Sequence, residues 1–522
     1  MSKETVTIAR NAVIAKLHNP SREAKLEVQR LLSYAVAGAE QSTQFKLGRW
    51  DGRSSFLDFR SGTFPAGFTF MVAAGLKRAG FGINIARKPL PEPLGPLNPI
   101  VDAFGEDPRY DYQAKTVEAV VKHGAIIAQV ATGGGKSRIC KMVYARLNRP
   151  TLFLTTRSIL MYQMKEAFER DMGIQVSVLG DGQFGHTITD GNGVQRQAIK
   201  KMCVGMVQTL VAKLKEPDPK DPPEKRQKQL AEREKTIRLL SKFEVVIGEE
   251  AHEAGGGSYY EILKHCVNAH YRLALTATPF MRDDEEANMR LHAAFGPIGI
   301  KVSEELLIER GILAKPYFKF VPLTQRVKYL NKGTDWRNAY QLGIIENPER
   351  NKLVVEHARA AVGRGMPVMI LVQRKEHGHA LAQMLGEIDI KAQFIYGENE
   401  QDERKAALVA LGNGELDVLI GTTILDVGVD VPAVGMVILA GGGKAEVAMR
   451  QRVGRGLRSK KSGPNVCLIV DFTDHWNKHL QRHSAQRQEI IVSTPGFGCN
   501  VLPPGKDFDY VGLGLGAQAG SE

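Results

Sequence analysis

Long apolar runs are missing from these 522 residues. None approaches the roughly 18 consecutive apolar residues that a membrane span needs, so the reading is of a chain that does not cross a bilayer. The start, MSKETVTIARNAV, lacks the apolar stretch of a secretion signal, and export is not expected. Cysteine is scarce: Cys140, Cys203, Cys266, Cys467 and Cys499 lie far apart with no C-x-x-C pair. That spacing argues against a disulfide framework or a cysteine metal site and fits reduced thiols in a cytoplasmic protein. Negative charge is the scarcer sign, with 57 acidic against 70 basic side chains and a net charge of +13. A polyanionic partner suits that balance, although basicity alone does not decide it. The first hundred residues hold 14 Lys/Arg and 7 Asp/Glu, about half of the excess.

What the chain does contain is ordinary globular composition, 43% hydrophobic and 24% charged, at a length that suggests three or four domains. KPLPEPLGPLNPI (88–100) carries five prolines and excludes both helix and central strand. It reads as a linker over 89–104 that closes a small basic α+β domain, residues 1–88. Within that domain SREAKLEVQRLLSYAV has helical periodicity, and KLGRWDGRSSFLDF and SGTFPAGFTF read as strands with glycine turns. Beyond 105, short apolar runs alternate with helical segments: AIIAQV, TLFLTT, FEVVIG and YRLALT, then PVMILV, LDVLIG, GMVILA and VCLIVD. Strands without polar alternation predict parallel sheets covered on both faces. Two series predict two α/β domains, 105–310 and 311–475, the first interrupted by a charged insertion at about 213–242. Residues 476–522 form a C-terminal extension, expected to be partly disordered because its glycine-rich end offers little for a core.

VATGGGKS (130–137) follows one of those strands and opens a helix. Glycines let backbone N–H groups surround phosphate oxygens, the helix N-terminus favours negative charge, Lys136 reaches the terminal phosphates and Ser137 suits Mg²⁺. Thr132, Gly133, Gly134 and Gly135 make up the rest of the loop. FEVVIGEEAHEAGGG (243–257) then ends a strand with two carboxylates, Glu249 and Glu250. One acid can serve the metal ion and the other can position or deprotonate a water.

These residues are joined by others in a fixed order. EEAH resembles the D-E-A-H box of superfamily 2 helicases, and RYDYQ, TTRSILMYQ, VGMVQTL, LTATPF, LVQRKEH, GTTILDVGVDVP and QRVGRGLR resemble their remaining motifs. The resemblance covers roughly 109–475. It implies two tandem RecA-like parallel-sheet domains, preceded here by the small α+β domain, and an ATP- and Mg²⁺-dependent enzyme. It gives Gln113 to the adenine, Ser137 and Glu249 to the metal, and Glu250 to hydrolysis. Arg455 and Arg458 would face the γ-phosphate as arginine fingers, with Asp430 and Gln451 also on the nucleotide. His252, Thr276 and Thr278 would couple nucleotide state to nucleic acid, which Arg157, Thr209, Arg374 and Thr422 would hold by its phosphates. Glu249 stands where the family has aspartate; the extra methylene moves the carboxylate about 1.5 Å, which implies retained but slower hydrolysis.

The W-D-G of GRWDGRSSFLDFRSGTFPAGF resembles the small leading domain of UvsW-type phage helicases, which implies branched DNA as substrate. Trp50 is then either a nucleic-acid contact or that domain's core aromatic. The expectation is a DNA helicase moving 3′–5′ on forks, D-loops or Holliday junctions, with recombination or replication proteins as partners and host cytoplasm as location. A non-unwinding translocase, a restriction-type ATPase subunit and an RNA helicase are the alternatives.

Overall fold

The structure, a computed structural model, describes residues 3–189, 195–251, 257–280, 284–422, 434–443, 457, 460 and 463–516. The chain forms two compact units, Met1–Val130 with Gly135–Lys301, and Ala131–Gly134 with Val302–Glu522.

The first unit begins with a four-stranded sheet: β1 (Lys3–Arg10), β2 (Ile14–His18), β3 (Thr63–Pro65) and β4 (Phe81–Arg87) in the order β3-β2-β1-β4. Only the β1–β4 pair is parallel. Strand β2 alternates exposed and buried, so Ala15 and Leu17 point inward, as a sheet with one wet face requires. Helices α1 (Arg22–Leu31) and α2 (Thr69–Arg78) contribute Val28, Val72 and Leu76 to the core, where they meet Val6, Ile8 and Phe68. The strands expected from SGTFPAGFTF stop at Pro65; Thr69, Val72 and Leu76 are buried at helical spacing, and that period overrides the aromatics. In KLGRWDGRSSFLDF only Arg53–Ser55 is a strand, because W-D-G is a turn.

The larger sheet of the same unit has eight strands: β5 (Ala125–Val130), β6 (Thr151–Thr155), β7 (Val176–Gly180), β8 (Gln183–Phe184), β9 (Met202–Met206), β10 (Val245–Glu249), β11 (Tyr271–Thr276) and β12 (Ile298–Val302). Their order is β8-β7-β9-β6-β10-β11-β5-β12. From β7 through β5 every pairing is parallel. Every residue of β6, β10 and β11 is buried, which is why the sequence there shows unbroken apolar runs. The helices that bear on the site are α3 (Asp111–His123), α4 (Lys136–Leu147), α5 (Ser158–Met172) and α6 (Val207–Leu214). The insertion is an 18-residue helix, α7 (Pro223–Leu240), whose Leu239 and Leu240 join the core while its other faces stay wet.

Two devices fasten the N-terminal sheet to this larger one. Gly67 lies against helix α8 (Glu285–Phe295): a Cβ there would stand 2.2 Å from the His292 carbonyl oxygen. Glu285 also accepts the Ala35 backbone N–H at 2.7 Å. The proline-rich stretch is strapped along the surface as well. The Tyr271 hydroxyl donates to the Pro91 carbonyl at 2.5 Å, and the Leu94 and Gly95 N–H groups donate to the Leu147 and Arg146 carbonyls.

The second unit is built on six strands: β13 (Lys315–Pro322), β14 (Val368–Leu371), β15 (Ala392–Ile395), β16 (Val418–Gly421), β17 (Met436–Ile438) and β18 (Val466–Thr473). All pairings in the order β13-β18-β17-β14-β16-β15 are parallel. Helices α9 (Trp336–Tyr340), α10 (Pro348–Val362), α11 (Lys375–Gly386) and α12 (Lys478–Ser493) belong to it. The C-terminal stretch is richer in core than its glycines suggest. Phe508 and Leu515 are buried in the cluster that holds Val368 and Phe472, and Leu513 and Tyr510 pack beside them. Two largely parallel sheets, with one antiparallel edge pair at β8–β7, and a small leading α+β region are the fold class expected.

Candidate nucleotide and nucleic-acid site

Parallel sheets place chemistry at the C-terminal ends of their strands, where loops leave for the helices. At the end of β5 the glycine-rich loop turns into α4. Gly133 and Gly135 have φ of +85° and +74°, backbone that a side chain would strain. Gly135 is doubly constrained, because a Cβ there would lie 2.5 Å from the Gln113 amide nitrogen. Ser137, in the first turn of α4, is exposed.

Gln113 is buried on α3 and accepts a hydrogen bond from Arg138 Nη1 at 2.7 Å. Arg138 also donates to Asp102 at 3.1 Å and the Gly105 carbonyl at 2.6 Å, and lies 5.1 Å from the Phe104 ring centre. Asp102 in turn receives Lys141 Nζ at 2.7 Å, and Lys141 reaches Asp171 at 2.7 Å. Burial alone would raise the Asp102 carboxyl, but Lys141 and Arg138 outweigh it and hold the pKa below the usual range. Gln113 is thus fixed by a charged network. A cavity of about 640 Å³ opens beside it, lined among others by Asn98, Pro99, Tyr110, Val117 and Arg138. Sequence reasoning missed Asp102, Phe104 and Arg138, whose residue types carry no motif and gain meaning only from position.

The paired acids differ in environment. Glu249 ends β10, is 6% exposed, and its carbonyl accepts the Tyr259 hydroxyl at 2.7 Å. Burial, helped by the Glu249 charge, pushes the Cys140 thiol on α4 well above its ordinary value. Glu250 has φ of +45°, unusual for a residue other than glycine or asparagine. Its N–H donates to the Leu275 carbonyl at 2.9 Å, and its carboxylate lies 3.6 Å from Lys136 Nζ. Thr276 Oγ1, at the end of β11, is 3.5 Å from the other Glu250 oxygen and accepts the Thr278 N–H at 3.2 Å. Lys136, Glu250, Thr276 and Thr278 therefore come together. The Glu250 carboxylate and the Thr276 hydroxyl beside the Lys136 ammonium, with Glu249 the preceding residue, are hard oxygen donors, which suit Mg²⁺ because that ion retains several waters and needs few protein ligands.

Arg157 and Thr209 stand at neighbouring strand ends, since β6 and β9 pair Thr155 with Met206. Arg157 precedes α5, Thr209 lies in α6, and Gln208 Nε2 ties the two segments by donating to the Thr156 carbonyl at 2.8 Å. Arg374 and Thr422 show the same arrangement in the second unit, where β14 and β16 pair Leu371 with Gly421. Arg374 is exposed at the start of α11. Trp50 is half-buried and donates its indole N–H to the Arg53 carbonyl at 2.6 Å, closing the W-D-G turn. His252, Asp430, Gln451, Arg455 and Arg458 lie outside the described residues.

Comparison with known proteins gives the same modules. Residues 107–281 match the family model of the type III restriction enzyme res subunit, and residues 349–460 match the helicase conserved C-terminal domain. The ATP-dependent DNA helicase uvsW of Enterobacteria phage T4 is 21% identical over 470 residues, 86% of each chain. Its crystal structure aligns over 95% of this chain and 98% of that one, at 18% identity and a TM-score of 0.44. The DNA 3′-5′ translocase XPB2 of Sulfurisphaera tokodaii is 24% identical over 392 residues, 69% of this chain and 81% of that protein. A putative helicase 22 of Sulfolobus islandicus filamentous virus is 27% identical over 255 residues; the match spans 46% of this chain and less than half, 45%, of that protein.

Proposed function

We propose a branched-DNA remodelling role for this chain, which belongs to the superfamily 2 helicases and is an ATP-dependent enzyme of that class. Lys136 would neutralise the terminal phosphates, and the backbone N–H groups of 132–135 would surround them. Ser137 and Glu249 would hold Mg²⁺, which when bound supplies countercharge to the phosphates. Glu250 would orient the attacking water, held ready by Lys136 and Thr276. Arg455 and Arg458 would stabilise charge on the transferring phosphoryl group, with Asp430 and Gln451 on the nucleotide. Thr276 and Thr278 would pass the state of Glu250 onward, together with His252.

DNA would lie along the strand ends that carry Arg157 and Thr209 in one unit and Arg374 and Thr422 in the other, gripped by its phosphates. The observation that carries the DNA reading is the N-terminal sheet, basic in composition and fastened to the first motor sheet through Gly67, Ala35 and the 91–95 strap. A module so fixed would hold duplex beside the motor, Trp50 included. The 3′–5′ direction rests on the name of the archaeal relative, and the branched substrate and recombination partners on the kinship with the phage helicase. A second reading, a translocating ATPase subunit of a restriction-type assembly, is favoured by the family description matched at 107–281.

The test is strand displacement and ATP turnover on fork, Holliday-type and linear DNA beside RNA duplexes. Stimulation and unwinding greatest on the branched DNAs are expected. Turnover stimulated by RNA and not by DNA would end the proposal, and DNA-stimulated turnover with no strand displacement would transfer it to the second reading.

A further inference from the structure

Arg10, the last residue of β1, and Arg87, the last residue of β4, are register partners in the parallel pairing of those strands. Neighbouring strands stand about 4.8 Å apart and partnered residues share a face, so two guanidinium-bearing side chains leave the sheet together. Like charges directly opposed on a sheet are destabilising. An ion pair would relieve them, yet among the described residues neither arginine makes an ion pair or a side-chain hydrogen bond. Arg10 lies 5.7 Å from the Phe70 ring centre. Burial first, and then the Arg87 charge, brings its pKa down to about 10 from 12.5.

The chain just past β4 is pressed against the motor sheet. A Cβ on Gly124, between α3 and β5, would stand 2.8 Å from the His270 carbonyl oxygen and 3.0 Å from Leu90 Cδ2. The Gly124 carbonyl accepts the Arg272 N–H at 2.7 Å. This contact brings exposed Lys122 and His123, at the end of α3, to the same seam as half-buried His270. Each histidine feels the arginines. His123 is lowered by burial and then by Lys122 and Arg87. His270 is lowered by burial, with Arg272, Arg10 and Arg149 adding to it against the pull of Glu244. That carboxylate is already paired with Arg149 at 2.6 Å. Arg272 is buried at the start of β11 and gives its guanidinium to the Leu263, Cys266 and Ala269 carbonyls at 3.2, 3.1 and 3.0 Å, so its charge also stays in the field. The seam lies at the N-terminal ends of β5 and β11, while the glycine-rich loop and Thr276 stand at the C-terminal ends. At about 3.3 Å per residue, roughly 17 Å of sheet separates the two.

We propose that Arg10, Arg87 and Lys122 form a phosphate-gripping site on the seam between the leading sheet and the motor sheet, and that its ligand is the backbone of duplex DNA. The proposal rests on the reading above of DNA as the substrate, and it adds a contact remote from Arg157 and Thr209. Paired guanidiniums supply the planar donors that phosphate oxygens accept. An unrelieved like-charge pair also gains more from an incoming phosphate than a pair already satisfied by carboxylates. The Phe70 ring lies under the Arg10 guanidinium and is not open for a base to stack, which favours a paired backbone over a single strand. Such contacts grip without reading sequence.

Arg87→Ala is the first variant, because Arg87 is exposed, and Arg10→Gln with Arg87→Ala removes both guanidiniums. Lys77→Ala, in the last turn of α2 before β4 begins, makes the same change in net charge away from the seam. Fluorescence anisotropy across a salt series measures binding to blunt duplex DNA and to a single strand. For each arginine removed, the duplex salt slope should become shallower by about 0.9 and the affinity at physiological salt should fall about five-fold. Single-strand affinity, and duplex affinity in Lys77→Ala, should stay within about two-fold of wild type. The melting temperature of Arg87→Ala should be no lower than wild type, since the substitution relieves a like-charge opposition. An unchanged duplex slope in the double variant, an equal loss on single strand, or an equal loss in Lys77→Ala would overturn the proposal. So would inorganic phosphate that raises the melting temperature of wild type and not of the double variant while duplex binding is the same in both, because the ligand would then be a free phosphate. If the wild type binds neither duplex nor fork DNA, the DNA reading itself has failed; if it binds DNA and the double variant binds equally well, only the seam site has.

Discussion

The Lys136 ammonium stands 3.6 Å from the Glu250 carboxylate, and Glu250 reaches it from a left-handed backbone conformation. Such a conformation costs a residue with a Cβ about 1–2 kcal/mol. The Glu250 N–H still bonds the Leu275 carbonyl of the neighbouring strand, and the left-handed φ at that residue then turns the chain out of the sheet. The turn separates two acids that are adjacent in sequence, leaving one buried at the strand end and one beside the lysine.

From that separation the two positions should fail differently. Glu250→Gln keeps the shape and removes the charge, so ATP binding should persist while hydrolysis falls by about a hundred-fold or more, the usual scale for a lost general base. Lys136→Ala should abolish turnover and weaken nucleotide binding while leaving the fold intact. Nucleotide titration, single-turnover hydrolysis and circular dichroism separate these outcomes. Turnover near wild type in Lys136→Ala would mean that the phosphate loop has been misassigned.

Gly135→Ala tests the link between the glycine-rich loop and Gln113, the glutamine expected to read the base. The new methyl would meet the Gln113 amide nitrogen at 2.5 Å and hold a φ of +74°. The Gln113 side chain would have to leave Arg138, and the discrimination of ATP from GTP should fall along with ATP affinity. The measurement is competition between the two nucleotides. An alanine variant that discriminates as well as the wild type would show that Gln113 does not read the base.

Legibility followed burial. The run AIIAQV coincides with β5, and the other runs place their strands to within a few residues, because strands covered on both faces have no polar interruptions to confuse them. The N-terminal sheet has one wet face and short strands, so W-D-G looked like strand and proved to be a turn closed by the Trp50 indole. The meeting of Lys136 with Glu250, and of Gly135 with Gln113, is one the sequence anticipates, because the expected chemistry asks for those neighbours. The left-handed Glu250 was not anticipated, since only glycine or asparagine announces that geometry. Nor were the hydrogen bonds that Tyr340, Gln373 and Arg487 donate to the 441, 442 and 443 carbonyls, since the three side chains come from elements far apart in the chain and meet only through topology.

His377 predicts how the second unit responds to acid. It is fully buried at the start of α11, its Nε2 is 2.9 Å from Asn351 Oδ1, and the Arg350 charge adds to the effect of burial. Burial first, then Arg350, pushes its pKa down to about 3 from the ordinary 6.5. Between those values the unfolded chain binds more protons than the folded one, so stability rises with pH through that window and levels off above about 6.5. The loss on going from pH 7.5 to pH 5 is about 2 kcal/mol from this residue alone. His357, lowered to about 4 by burial and then Lys319, acts in the same direction. His377→Gln keeps a donor for Asn351 but cannot take up a proton. Its melting temperature should therefore fall less than that of the wild type over the same pH range. Equal decreases in the two proteins would mean that the acid sensitivity arises elsewhere.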